Sequence, residues 1–241
     1  MKRGIFVAYC LLALSLLLNL SLTIAHALDT IGEAETVATV PNGITVIVDA
    51  GHGGEDCGAI GASGIYEKDL NLTIAEILSE NLREAGFTVV MTRTSDRLLY
   101  REEENIKGMR KIYDLKNRVA IANSYEKAIF VSVHMNSFTD PKYSGFTTYY
   151  SSAHGSEALA MAVQSSVVER LQNNNNRKIK AGEGLYLLEN SKNPAVLLEC
   201  GFLSNPDECK RLCDKDYQKQ LSFSIICGII DYIEHTADGF N

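Results

Sequence analysis

Residues 44–85 read ITVIVDAGHGGEDCGAIGASGIYEKDLNLTIAEILSENLREA, and the change of pattern within them decides the fold class. Ile44 to Asp49 is a short, β-branched apolar run, fit for a strand buried on both faces. Glycines follow at 51, 53, 54, 58, 61 and 64, giving a loop that can turn sharply. Leu70, Ile74, Ile77, Leu78, Leu82 and Ala85 then recur at helical spacing, and Gly86 stands where a C-terminal cap belongs. The spacing predicts a helix over 67–85. Strand, glycine loop and helix together open an α/β protein.

Downstream the alternation continues. Strands are predicted over 88–92, 129–134, 145–150, 184–188 and 195–199. Helices are predicted over 113–123 and 156–171, briefly after Pro206, and along an amphipathic segment carrying Tyr217, Leu221, Ile225, Ile229 and Tyr232. This order implies a single α/β domain over 44–237, a largely parallel mixed sheet of about six strands flanked by helices. The run Asn173 to Asn176 reads as a flexible surface loop. There is no internal repeat.

Upstream, Lys2 and Arg3 precede the uncharged stretch Ile5 to Ala25, which leads into Ala25-His26-Ala27. Residues 1–27 therefore read as an export signal. The apolar stretch is also long enough for a membrane anchor, since about 20 apolar residues span a bilayer. Cleavage after Ala27 and retention are both open, and either places residues 28 onward outside the cytoplasm. Membrane contact is expected only through this segment. Residues 28–43, ending Pro-Asn-Gly, read as a linker.

Apolar residues make up 46% of the 241, enough for a real core. The net charge is −7 and no basic stripe is visible, which argues against nucleic acid as a partner. Five cysteines lie beyond the export segment, at 57, 200, 209, 213 and 227, an odd set without a disulfide framework. Cys209 and Cys213 resemble half a metal site, but no second pair follows, so they read as ordinary helix residues.

In open α/β sheets the functional groups gather beyond the carboxyl ends of the strands. The first strand leads through Asp49-Ala-Gly to His52, the third ends in His134, the late one in Glu199, and Glu67 opens the first helix. Two His and one Glu could supply the three protein ligands of an open catalytic zinc site. Each also has a plainer reading: a hydrogen-bonded core histidine, or a carboxylate favouring a helix N-terminus. Glu199 after Ala-Val-Leu-Leu is harder to dismiss, because a buried carboxylate needs a partner or a role. Only the joint placement favours a site. A nucleotide-binding loop does not fit, since Gly51-x-Gly53 is followed by Asp56 rather than a third glycine, and no GKS or GKT occurs.

These residues and their surroundings resemble the zinc-dependent N-acetylmuramoyl-L-alanine amidases of the amidase 3 type. The resemblance runs through Val48-Asp-Ala-Gly-His-Gly-Gly54, Glu67-Lys-Asp-Leu-Asn-Leu72, Met91-Thr-Arg-Thr-Ser-Asp96, Arg118-Val-Ala-Ile-Ala-Asn123, Phe130-Val-Ser-Val-His-Met-Asn136 and Pro194-Ala-Val-Leu-Leu-Glu-Cys-Gly-Phe-Leu-Ser-Asn205, in the family's order. It implies that His52, Glu67 and His134 hold one Zn2+ per chain, that Glu199 is the catalytic residue, and that Asn136 faces the substrate. The implied substrate is a peptidoglycan glycan strand with its stem peptide, cut between N-acetylmuramic acid and L-alanine. Cys200 stands where the family usually carries an aliphatic residue.

Within the family, the lone catalytic domain, the segment Arg110 to Arg118 and the lack of wall-binding repeats resemble the germination-specific type. That type acts on spore cortex, ahead of muramic-δ-lactam formation. A vegetative autolysin of the same family and a non-catalytic peptidoglycan-binding pseudoenzyme are the alternatives. The chain has no tryptophan, so sugar contacts fall to residues such as Tyr149 and Tyr186. The interval 151–188 is too short for the occluding helix some members carry. The site is therefore expected to be open, with control left to timing of expression or to a regulatory protein partner.

Overall fold

Every residue of Thr45–Ala50 is buried, so this strand, β1, lies inside a sheet rather than at its edge. The computed structural model describes residues 43–236. The expected export segment at 1–27, the linker up to residue 42, and residue 237 lie outside the described residues. After β1 come α1 (Glu67–Glu84), β2 (Thr88–Met91), a short 3-10 turn (Glu102–Glu104), α2 (Arg110–Ala122), β3 (Ala128–Asn136) and β4 (Thr147–Tyr150). Then follow α3 (Ser156–Arg170), β5 (Lys180–Ala181), α4 (Tyr186–Glu189), β6 (Ala195–Phe202), α5 (Pro206–Leu212) and α6 (Lys215–Thr236).

The six strands form one sheet in the order β2-β1-β3-β6-β4-β5. All neighbours are parallel except β4, which runs antiparallel to β6. The expected largely parallel α/β sheet is therefore the one observed. Because successive side chains alternate across a sheet, each face has its own core. Val46, Val48, Val131, Val133 and Leu198 meet Ile74, Leu78, Val163, Ile225 and Ile229 from α1, α3 and α6. On the opposite face Ile47, Phe130 and Leu197 meet Ala122 of α2 and Leu187 and Leu188 of α4. Burying each such aliphatic side chain contributes about 1.5–3 kcal/mol before chain entropy is set against it. Among the described residues no helix is long and apolar enough to cross a membrane.

Three local expectations need correction. The segment 184–188 is not a strand: it enters the short helix α4, and the edge strand is instead Lys180–Ala181. Leu187 and Leu188 are adjacent yet both buried in one core, whereas a strand would send them to opposite faces. The four-asparagine run is not wholly a solvated loop either. Asn175 is half-buried, and its amide donates to Phe146 O at 2.8 Å and Gln172 Oε1 at 3.1 Å. Finally, His134 and Glu199 do not end their strands, which run on to Asn136 and Phe202. Cys209 lies buried in α5 as expected of a helix residue, while Cys213 is exposed and caps the helix at its C-terminal end.

Candidate active site

Register brings the site together. His134 on β3 pairs with Glu199 on β6, and Glu199 pairs in turn with Thr147 on β4. Paired residues point to the same face, so these three side chains form one row across the sheet. One row below, Asp49 of β1 pairs with Ser132 of β3, whose hydroxyl donates to Asp49 Oδ2 at 2.6 Å. The loop after β1 then carries His52, and α1 starts with Glu67.

Glu67 is the meeting point. Its Oε1 lies 3.2 Å from His52 Nε2 and 3.0 Å from His134 Nδ1. The same oxygen accepts the Met135 N–H at 3.1 Å, while Oε2 accepts the Ala59 N–H at 2.8 Å. Its place in the first turn of α1 also favours a negative charge. Burial works against ionisation, but the hydrogen bonds and charges of His134 and His52 prevail and hold this carboxyl far below the usual range.

His52 is the one non-glycine described residue with a left-handed backbone, φ 60°. That conformation is uncommon outside glycine and needs surrounding support. Two buried arginines provide it. Arg118 donates to Asp49 Oδ1 (2.6 Å), Ala50 O (2.7 Å) and His52 O (2.6 Å), and Arg93 to Ala50 O (2.8 Å) and Gly51 O (2.9 Å). Three consecutive carbonyls are thus tied down. Arg118 is balanced by Asp49 and Asp114, at 2.6 and 2.9 Å. Two glycines leave room for the cluster: a Cβ on Gly51 would collide with the His134 ring, and one on Gly58 would press on the Glu67 carboxylate and the His52 ring.

A further carboxylate supports His52. Asp56 Oδ2 takes its Nδ1 at 2.8 Å and is itself held by Lys111 Nζ at 3.0 Å. Burial alone would lower the His52 pKa, but the hydrogen bonds and charges of Asp56 and Glu67 raise it to about 9. A carboxylate behind an imidazole fixes its tautomer and leaves the other nitrogen free for a metal. Sequence reasoning missed Asp56. The signal was available, four residues past His52 in the glycine loop, but only the folded loop shows which way it turns.

Ligand atoms of His52, Glu67 and His134 all lie within 4.8 Å of one another, so these three could hold a metal ion. Two imidazole nitrogens and one carboxylate oxygen match the donor set of catalytic zinc sites that keep a position open. Glu199, beside His134, differs from Glu67. Its Oε2 is buried and finds no hydrogen-bond partner among the described residues. Burial raises its pKa to about 7; His134 and His52 pull the other way and Glu67 adds to the rise. Asn136 is half-buried at the end of β3, opposite Phe202. Tyr149 packs against the second core with Lys180 over its ring, and Tyr186 is exposed on α4. Neither tyrosine belongs to the metal cluster.

Known proteins share this architecture. The family profile described as N-acetylmuramoyl-L-alanine amidase matches residues 46–231. The germination-specific N-acetylmuramoyl-L-alanine amidase of Bacillus subtilis (strain 168) is 36% identical over 198 residues, covering 82% of this chain and 83% of that protein. The N-acetylmuramoyl-L-alanine amidase LytC of the same organism is 30% identical over 193 residues, 79% of this chain but 36% of its own length. Among solved structures, the CwlD amidase from Clostridioides difficile in complex with the GerS lipoprotein superposes with a TM-score of 0.76. It is 39% identical and covers 79% of this chain and 98% of that one.

Proposed function

The chain belongs to the N-acetylmuramoyl-L-alanine amidase family, and from that premise we propose where and by which residues it acts. It is a hydrolase of peptidoglycan, so its work lies outside the cytoplasm. We assign it to spore cortex, where removing stem peptides from muramic acid prepares the glycan for δ-lactam formation. Similarity to the germination-specific amidase of B. subtilis and to the CwlD amidase supports this. The complex of the CwlD amidase with a lipoprotein supports a protein partner for this chain as well.

The observation that carries the mechanism is the convergence of His52, Glu67 and His134 beside a carboxyl group poised near neutrality. These three residues would hold one zinc ion, which when bound supplies Lewis acidity for the scissile carbonyl and a lowered pKa for an attacking water. Glu199 would accept a proton from water on its carboxylate. It then delivers the proton to the nitrogen of L-alanine as the carbon–nitrogen bond breaks, leaving a lactyl carboxyl group on the sugar and a free amine on the peptide. A pKa of about 7 suits both halves of this transfer. Asp56 orients His52, and Asn136 offers its amide to the substrate.

Mass spectrometry of peptidoglycan incubated with the protein tests the reaction: peptide-free muramic acid is expected with zinc and not with chelator. Cortex from a strain lacking the protein tests the setting. Loss of muramic-δ-lactam is expected, and cortex with normal δ-lactam would remove the cortex assignment.

A further inference from the structure

The asparagine run has no part in the chemistry above, yet it builds something. Asn175 Oδ1 accepts the backbone N–H of Arg177 at 3.0 Å while its amide donates to Phe146 O, and Gln164 Nε2 donates to Arg177 O at 3.3 Å. With its backbone pinned on both sides, Arg177 lays its guanidinium over the Phe202 ring, 4.4 Å from the centroid. Its Nε donates to Ser144 O at 2.6 Å. The outer nitrogens of the guanidinium engage no carboxylate among the described residues. The result is a charged fork held in place, with its bidentate edge still to be used.

The fork borders a cleft of about 660 Å³ that Lys142, Tyr143, Arg211 and the asparagine run also line. Glu208 lies in the lining too, but its two oxygens already accept the N–H groups of Gly145 and Phe202. Lys142 pairs with Asp140 at 2.7 Å and Arg211 approaches Glu208 at 3.9 Å, whereas Arg177, within electrostatic reach of Glu208, makes no ion pair among the described residues. In a chain of net charge −7, this cleft is a local inversion of sign.

The cleft adjoins the active face. Phe202 pairs with Asn136, two residues beyond His134, and Tyr143 stacks on Phe202 at 6.3 Å between centroids. At about 3.3 Å per strand residue, that rung lies on the order of 7 Å past His134. The Arg177 guanidinium stacks on the Phe202 ring at that rung. An extended peptide advances about 3.5 Å per residue, so two or three residues span a distance of this order.

We propose that Arg177 binds a carboxylate of the substrate's stem peptide and is a specificity-determining residue of this amidase. The proposal rests on the amidase reading and adds to it which part of the peptide is read. One fork set among amides and aromatic rings suits a single carboxylate on a peptide. A phosphate polymer would call instead for a row of exposed cations.

The test uses the zinc-loaded enzyme and two muramoyl peptides differing only in whether the carboxylates of the second and third peptide residues are free or amidated. The wild type is expected to favour the free peptide in kcat/KM by about tenfold to a hundredfold, the worth of a charged hydrogen-bonded pair. Arg177→Gln should lose that preference through KM, with kcat on the amidated peptide unchanged, and Arg177→Lys should keep part of it. An Arg177→Gln enzyme with the wild-type ratio overturns the site, even if its binding to an anionic phosphate polymer has weakened. A wild type that cleaves both peptides equally overturns it as well, while leaving the amidase reading intact. A wild type that cleaves neither overturns the amidase reading, and this proposal with it.

Discussion

The carboxyl groups on the two sides of His134 are held in opposite ways. On the β1 and α1 side, His52 and Glu67 are hydrogen-bonded through their side chains, and the carbonyls of residues 50 to 52 are clamped by Arg93 and Arg118. On the β6 and β4 side, Glu199 Oε2 and Thr147 Oγ1 are buried without a partner among the described residues. The carboxyl groups follow their surroundings. Glu67 is held far below its ordinary pKa, and Glu199 is raised to about 7. A ligand must stay ionised and still, whereas a group that takes and returns a proton must not be fixed in either state. On the reading proposed above, the difference separates holding, by Glu67, from acting, by Glu199.

Glu199→Gln should break the acting side alone. Turnover of muramoyl peptide is expected to fall by about 10²–10⁴-fold with zinc content unchanged, and near-normal turnover would erase the distinction. Arg118→Met strikes the holding side, leaving Asp49 and Asp114 buried without their counter-charge. Urea unfolding should show a loss of about 3–5 kcal/mol, and a loss under about 1 kcal/mol would mean the clamp is dispensable.

The acting side also predicts a pH signature in chelator-treated protein. Glu199 titrates near 4.5 when unfolded and near 7 when folded. Between those values the folded state keeps a proton the unfolded state has lost, so this group's contribution to stability falls as pH rises. Relative to Glu199→Gln, the wild type should lose about 3 kcal/mol across that window. A pH-independent difference between the two would show that the carboxyl group is not raised. The smallest effect is expected from Asp56→Ala, which frees the His52 ring. Zinc affinity measured by chelator competition should drop by about 10–100-fold, and an unchanged affinity would remove Asp56 from the holding side.

Much of this was legible beforehand, for definite reasons. The strands at 45–50, 128–136 and 195–202 are largely buried apolar runs, and α1 repeats its apolar residues at the helical period, so sheet and first helix could be read directly. His52, Glu67, His134 and Glu199 stand at or near the ends of those elements, and the fold brings them together. What could not be read depends on pairing rather than pattern. Lys180–Ala181 is exposed and only two residues long, a strand solely because β4 lies beside it. Asp56, Arg93 and Arg118 act by reaching backbone carbonyls and a ring that only the closed loop presents. Arg177 likewise gains its meaning from Phe202, 25 residues later in the chain.

The strand order has a consequence in time. β3 lies between β1 and β6, and both of its pairings are parallel and long-range, joining Thr45 to Ala128 and Phe130 to Ala195. Such pairing is slow to form. His134 on β3 therefore meets the His52 loop on one side and Glu199 on the other only as the middle of the sheet closes. A chain caught before that point would hold neither the His52, Glu67 and His134 cluster nor the carboxyl group beside it.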